Sequence, residues 1–220
     1  MLSCQDGKGK LPVNLSKPDN SLLERGRPLI VEALWHFVGS PLFRSELLPF
    51  STLKCLVLRF FGGRVGRGVY IKPRVRVKFP WYLKVGDYTW LGEGAWIDNL
   101  ARVTIGSHVC VSQDVYLCTG NHDWSHPNMK LFHKPIELRD GCWIGARSMV
   151  CPGVTVGECA VIVGGSVVAA NVADYDIQGG NPAVFLKRRS IGSFGAVVDA
   201  KEPGATFAAG SQARNANDCT

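Results

Sequence analysis

Nowhere does the 220-residue chain offer the ~20 consecutive apolar residues that a membrane-spanning helix needs, so none is expected. The opening MLSCQDGKGKLPVN lacks an apolar core behind its positive charges and does not read as a secretory signal. There is no CxxC pair among Cys4, Cys55, Cys110, Cys118, Cys142, Cys151, Cys159 and Cys219, so neither a zinc site nor a disulfide frame is expected. They read as reduced thiols of a cytoplasmic protein. Blocks of one charge are missing as well. The net charge is +7, but Arg64, Arg67, Lys72, Arg74, Arg76 and Lys78 alternate with Val and Ile, and Lys187, Arg188 and Arg189 stand far away. That spacing makes a solvated face, and nucleic acid is not an expected partner. An anionic cofactor or a glycan phosphate accounts for the excess equally well.

What the chain does have is a beat of six. From Leu138 the units LRDGCW, IGARSM, VCPGVT, VGECAV, IVGGSV and VAANV follow one another, each opening on an aliphatic residue. The frame extends backwards through hexads opening at Val65, Ile71, Val77, Val85, Leu91, Ile97, Ile105, Val111 and Leu117. A period of six fits neither an ordinary strand nor a helix. It fits a short strand plus a corner, repeated on the sides of a prism. Fifth positions are Ala, Ser, Thr, Val or Cys except at Trp81 and Asn121, as a narrow interior requires.

The beat is interrupted three times, each time after a third hexad: by two residues before Val85, by two before Ile105, and by the longer 123–137 stretch before Leu138. If three hexads make a coil, every insertion leaves the prism along one edge. His122 closes the Leu117 hexad there, so a prism strand is expected to hold it beneath a loop long enough to form a wall. Imidazole suits taking or giving a proton near neutral pH. Before the prism, residues 1–27 read as a flexible arm. Residues 28–61 read as short helices broken by Gly39, Pro41 and Pro49, capping the open end of the prism. The other reading of 28–61 is a surface resting on a membrane that carries a lipid-linked substrate. Residues 190–220 are small, polar and aperiodic, and read as a flexible tail.

The segments CTGNHD, KPIELRDGCWIGA, CPGVTVGECAVIVGGSVV and GGNPAVFLKRR, in that order, resemble the hexapeptide-repeat O-acetyltransferases of galactoside, maltose and exopolysaccharide type. CTGNHD and WYLKVGDYTWLGEGAWI are similar to the colanic-acid-type enzymes in particular. The resemblance covers roughly 62–189 and implies an all-β, left-handed parallel β-helix of about five coils, about 24 Å long at ~4.8 Å per coil. It further implies a short basic extension and an active site between the subunits of a homotrimer. It also implies acetyl-coenzyme A as co-substrate, no metal, and a glycan acceptor that is either small or lipid-linked, with membrane contact no more than peripheral to the cytoplasmic face.

By position the resemblance makes His122 the general base, Asp98 an acceptor-binding carboxylate with Asn99 as its neighbour, and Trp143 the aromatic closing the slot. Ala146 and Gly164 would line the pantetheine arm, and Lys187, assisted by Arg188, would meet the phosphates. Ala169 and Ala170 stand where the family commonly has Thr-Lys, which removes one cofactor contact. Two other readings are a metal-dependent hydratase of γ-carbonic-anhydrase type, drawing on His108, His122, His126 and His133, and a non-catalytic sugar-binding or scaffolding β-helix. A Cys118–His122 acyl-enzyme is a variant of the transferase reading.

Overall fold

The hexad becomes two residues of strand followed by a corner in the computed structural model, which describes residues 13–16, 18–46 and 50–192. Strands stack in parallel on three faces. The first carries Arg64–Val65, Leu83–Val85, Val103–Ile105, Ile136–Leu138 and Thr155–Val156. The second carries Tyr70–Ile71, Trp90–Leu91, Cys110–Val111, Trp143–Ile144, Val161–Ile162 and Asp176–Gly180. The third carries Arg76–Val77, Trp96–Asp98, Tyr116–Cys118, Met149–Val150 and Val167–Val168. A bridge from Val156 to Val172 opens a sixth rung, so the prism slightly exceeds the expected five coils. GGNPAVFLKRR, readable as a short helix or an extended strip, is extended: Ala183–Arg188 folds back antiparallel on Asp176–Gly180.

The leading aliphatic of each hexad fills the interior: Ile71, Leu91, Ile97, Ile105, Leu117, Leu138, Ile144 and Ile162 are each at most 1% exposed. Fully burying such a side chain contributes roughly 1.5–3 kcal/mol. The small fifth residues Ala95, Val115, Cys142, Ser148 and Ala160 are buried between them. Hydroxyls there are satisfied locally: Ser148 Oγ donates to the Val163 carbonyl (3.1 Å) and Thr89 Oγ1 to that of Gly106 (2.7 Å). Trp81 and Asn121, the two exceptions, both fall in insertions outside the interior.

The corners from first to second face and from second to third share one conformation. Their third residue has positive φ, on glycine at positions such as 68, 94 and 165, but on Arg74, Tyr88, His108, Asp114, Arg147 and Cys159 elsewhere. That conformation costs an L-residue about 1–2 kcal/mol. A bond to the preceding coil offsets it, since the N–H groups of Tyr88, His108, Asp114, Arg147 and Cys159 each reach a carbonyl one coil below at 2.8–2.9 Å.

All insertions leave the third-to-first corner. The first holds a short helical turn, Pro80–Tyr82, and the longest folds into an antiparallel hairpin of Gly120–His122 and Leu131–His133. This corrects one expectation. The prism strand ends at Cys118, and His122 stands on the hairpin that projects from it, because the chain turns outward at Thr119 and Gly120.

Ahead of the prism are α1 (Leu29–Leu34), a π-helical turn (Trp35–Gly39), α2 (Ser40–Arg44) and α3 (Ser51–Phe60). Contrary to the expectation from sequence, Gly39 and Pro41 do not break the first three apart. A Cβ at Gly39 would lie 2.5 Å from the Trp35 ring, and Pro41 follows the π-helical turn directly, in the first turn of α2. Pro49 lies outside the described residues. The helices cover the first coil: Trp35 Nε1 donates to Val77 O (3.2 Å), Ser51 Oγ accepts from Ile71 N (2.8 Å), and Lys54 Nζ donates to Lys72 O (3.1 Å).

The described part of the arm is not loose. Tyr82 and Trp81 donate to the carbonyls of Glu24 and Arg25 (3.1 and 2.7 Å), and Leu23 packs on Phe79, Leu100 and Leu131. Residues 1–12 and 193–220, which include most of the expected tail, lie outside the described residues. Ile97→Ala is expected to cost about 2–5 kcal/mol in denaturant unfolding through the cavity it leaves, against about 0.5 kcal/mol or less for the exposed Arg64→Ala.

Candidate active site

Twenty-residue coils put residues twenty apart side by side on the third face. Arg76, Trp96 and Tyr116 form one outward row: the Arg76 guanidinium lies 4.4 Å from the Trp96 centroid, and Trp96 stacks on Tyr116 at 4.5 Å. Lys78, Asp98 and Cys118 form the next. Lys78 Nζ is 3.0 Å from Asp98 Oδ1, and the Tyr116 hydroxyl donates to Asp98 Oδ2 at 3.1 Å. Burial, the Cys118 contact and the Asp98 charge push the Tyr116 phenol far above its ordinary range, so it stays a donor. The Lys78 contact lies off the hydrogen-bonding direction, and Asp98 Oδ1, shielded from water, makes no hydrogen bond. Tyr116 and Lys78 thus hold one carboxylate oxygen each, the first by a hydrogen bond and the second by charge.

His122 faces the same space. Lys78, Asp98, Tyr116, Cys118, Asn121 and His122 line a cavity of about 600 Å³. Its opposite wall comes from Asn20, Leu23 and Arg25 of the arm and Glu32 of α1. Arg25 Nη1 holds both Glu32 carboxylate oxygens at 2.7 Å, which fixes that wall. A second cavity of about 380 Å³, between helices and prism, shares Glu32, Lys78, Phe79 and Asp98 with the first.

The hairpin fixes the ring chemistry of His122. Nδ1 lies 2.7 Å from the Met129 carbonyl, which can only accept, so Nδ1 carries the hydrogen. In the neutral ring Nε2 is therefore the free base. The hairpin is itself braced. Asp123 Oδ1 accepts from Ser125 N (2.9 Å) and Oγ, which holds the carboxyl below its usual range. Leu131 N donates to Asp19 O (2.9 Å) and Asn14 N to Pro127 O (2.8 Å). Cys118 directs its thiol to the Gly120 carbonyl (3.0 Å), which gives the acyl-enzyme variant no Cys–His contact.

The other expected residues lie apart from this cavity or have other tasks. Asn99 is fully buried, and its amide both accepts from Phe79 N (3.0 Å) and donates to Phe79 O (2.7 Å). It holds the insertion at 79–82 and has no free group for an acceptor. Trp143 is 46% exposed on the second face, with Nε1 on Ser112 Oγ (2.9 Å). Ala146 and Gly164 occupy adjacent levels of the second-to-third corner, joined by Gly165 N to Ala146 O at 2.8 Å. A Cβ at Gly165 would meet nothing within 4 Å, so the backbone there is bare on its outer side. Lys187 is exposed on the terminal strand and makes no ion pair among the described residues, whereas Arg188 is held by Asp176 at 2.6 Å.

The imidazoles are separate. His133 Nε2 meets the Leu22 carbonyl (2.7 Å), and His108 stacks on Tyr88 at 5.3 Å. Among the described residues no three His, Cys, Asp or Glu side chains converge as metal ligands. Sequence reasoning missed Lys78 and Tyr116, although twenty-residue coils already place Lys78 beside Asp98 and Tyr116 beside Trp96. It missed Arg25 and Glu32 for another reason: no repeat marks which segment folds back over the edge.

Residues 135–170 match the family of bacterial transferase hexapeptides, six repeats. Over 165 residues the chain is 34% identical to WcaF of Escherichia coli K12, an acetyltransferase provisionally assigned to colanic acid biosynthesis. That match covers 75% of this chain and 91% of WcaF. A hexapeptide-repeat-containing acetyltransferase from Vibrio cholerae superposes with a TM-score of 0.65 at 26% identity, covering 72% of this chain and 92% of its own. A structure of the Vibrio cholerae O1 protein complexed with acetyl-coenzyme A gives 0.66 at 23% identity, over 73% of this chain and 87% of that one.

Long-range proton–nitrogen spectra are expected to place the hydrogen of neutral His122 on Nδ1 and the lone pair on Nε2. The reverse tautomer would contradict the Met129 contact.

Proposed function

The chain belongs to the hexapeptide-repeat acetyltransferase family, and we propose that it moves an acetyl group from acetyl-coenzyme A to a hydroxyl of a sugar or exopolysaccharide precursor. One observation carries this reading: His122, whose Nδ1 is engaged so that Nε2 is the accepting nitrogen, and the carboxylate of Asp98 line the same cavity. The acceptor hydroxyl lies between them. Its oxygen attacks the thioester carbonyl while Nε2 takes its proton, and a backbone N–H steadies the oxyanion. Collapse of the tetrahedral intermediate expels the coenzyme A thiolate, to which the imidazolium returns the proton. Asp98 orients the acceptor, and Lys78 and Tyr116 hold Asp98.

The bare backbone at Gly165, in the corner that holds Ala146 and Gly164, suits an extended thiol arm lying against it, and Lys187, in no ion pair among the described residues, suits an anionic terminus. Arg188 contributes less than its position in the sequence suggests, because Asp176 holds it. Trp143 and the corner lie outside the cavity of His122 in the single chain. A homotrimer with the thioester in the groove between prisms would bring one subunit's His122 to the corner of the next. The free thiols, Cys142 among them with its thiol pushed up to about 12 by burial, suit a reducing cytoplasm.

The decisive experiment incubates the protein with acetyl-coenzyme A and a panel of sugars, nucleotide sugars and lipid-linked glycans. It follows thiol release and the mass gain of one acetyl group. His122→Ala is expected to lose ~10²–10⁴-fold in turnover with coenzyme A binding retained. Unchanged turnover would remove His122 as the base; a wild-type chain that binds sugar but releases no thiol would favour a non-catalytic scaffold, and activity lost on chelation would favour the hydratase. Tyr116→Phe is expected to raise the acceptor KM about tenfold and to leave the acetyl-coenzyme A KM unchanged, because it loosens Asp98 alone.

A further inference from the structure

The helices that cover the first coil bury one side and leave the other bare. Trp35, Phe43, Cys55 and Leu58 face the prism. On the opposite side Ile30, Phe37, Val38, Leu56 and Phe60 are 67, 75, 58, 53 and 84% exposed. Between α1, α2 and α3 runs an apolar furrow of about 490 Å³, lined by Leu34, Val38, Leu42, Leu56 and Phe60. So many large apolar side chains grouped on one end of a molecule mark a contact surface.

Charge identifies the occupant. Residues 27–78 hold ten Lys and Arg against two Asp and Glu, a balance of +8, while the whole chain has +7. The entire positive excess therefore belongs to the helices and the coil directly beneath them. Arg44, Arg59, Arg64, Lys72 and Arg76 are exposed there, none of them in an ion pair with a carboxylate among the described residues. An apolar face collared by cations fits an interface where headgroups are negative and acyl chains begin. A second protein copy would bring the same cations against themselves.

We propose that the outer face of α1, α2 and α3 docks on an anionic phospholipid bilayer, with Phe37 and Phe60 entering the headgroup–acyl boundary. The two cavities then open beside the membrane surface, since the smaller runs from α1 and α2 to Asp98. Among the described residues no helix is long and apolar enough to cross. Docking requires neither the acetyl transfer nor His122, so the two readings fail separately.

The test floats the full chain with vesicles of phosphatidylcholine, alone or with about one third phosphatidylglycerol, at low and high salt. Flotation with the anionic vesicles, weakened by salt, is expected. Phe37→Glu/Phe60→Glu should lower vesicle affinity on the order of tenfold or more with an unchanged thermal unfolding midpoint, because both rings are exposed. Arg64→Glu/Lys72→Glu should abolish the preference for anionic lipid. Absence of flotation with anionic vesicles would overturn the proposal. So would wild-type flotation by the double Phe variant, or a double Phe variant whose only change is fewer copies per assembly.

Discussion

A three-sided stack tolerates variation in one place only. Each strand is hydrogen-bonded to the strand above and the strand below, and each inward residue is enclosed by neighbours on all three faces. An extra residue inside a strand would turn every later side chain to the wrong face. A larger fifth residue would overfill the interior. Length can therefore be added only at corners, and in this chain it is added at a single corner in successive coils. The result is a ridge where irregular backbone accumulates beside very regular backbone. The cavity containing His122 lies along that ridge, between the third face and the arm folded over it.

This arrangement divides the labour of the site. Asp98 belongs to the regular part: its position follows from coil length, and its orientation is held by Lys78 one coil below and Tyr116 on the next coil. His122 belongs to the irregular part, and its aim comes from a hairpin whose tip supplies the Met129 carbonyl. A base carried on a projecting hairpin would ordinarily be loosely aimed. Here the arm residues 13–16 and 18–25 bond to it and to the 79–82 insertion, and Arg25 locks the arm to Glu32 of α1. Elements remote in sequence thus converge on the placement of one ring.

The legible part of the structure was the part governed by a period. Hexads opening on Val, Ile or Leu gave the faces, the small fifth residues gave the interior, and the common phase of the interruptions gave the edge on which to look for chemistry. His122 followed from that edge and Asp98 from the family resemblance, and the structure places both on one cavity. The two-residue offsets even set the twenty-residue coil that aligns Lys78 with Asp98. What was not legible was aperiodic. That His122 had already left the coil depended on where pairing stopped, at Cys118, which a Gly120 outside the frame only hints at. The engagement of Asn99 with Phe79, the π-turn through Gly39 and the folding-back of the arm each rest on contacts between segments that share no repeat. Backbone corners at Tyr88, His108 and Cys159 adopt a conformation their side chains disfavour, because bonds between coils outweigh local preference.

The central claim is that the Nε2 lone pair of His122 meets a thioester held by bare corner backbone, with Asp98 facing the incoming hydroxyl. A crystal structure of the assembled protein with coenzyme A tests this most directly. The account predicts that the thiol lies within hydrogen-bonding reach of His122 Nε2. It also predicts the pantetheine against the Ala146–Gly164 corner of an adjoining subunit. Coenzyme A bound on another face, or a His122 ring turned away from the thiol, would contradict it.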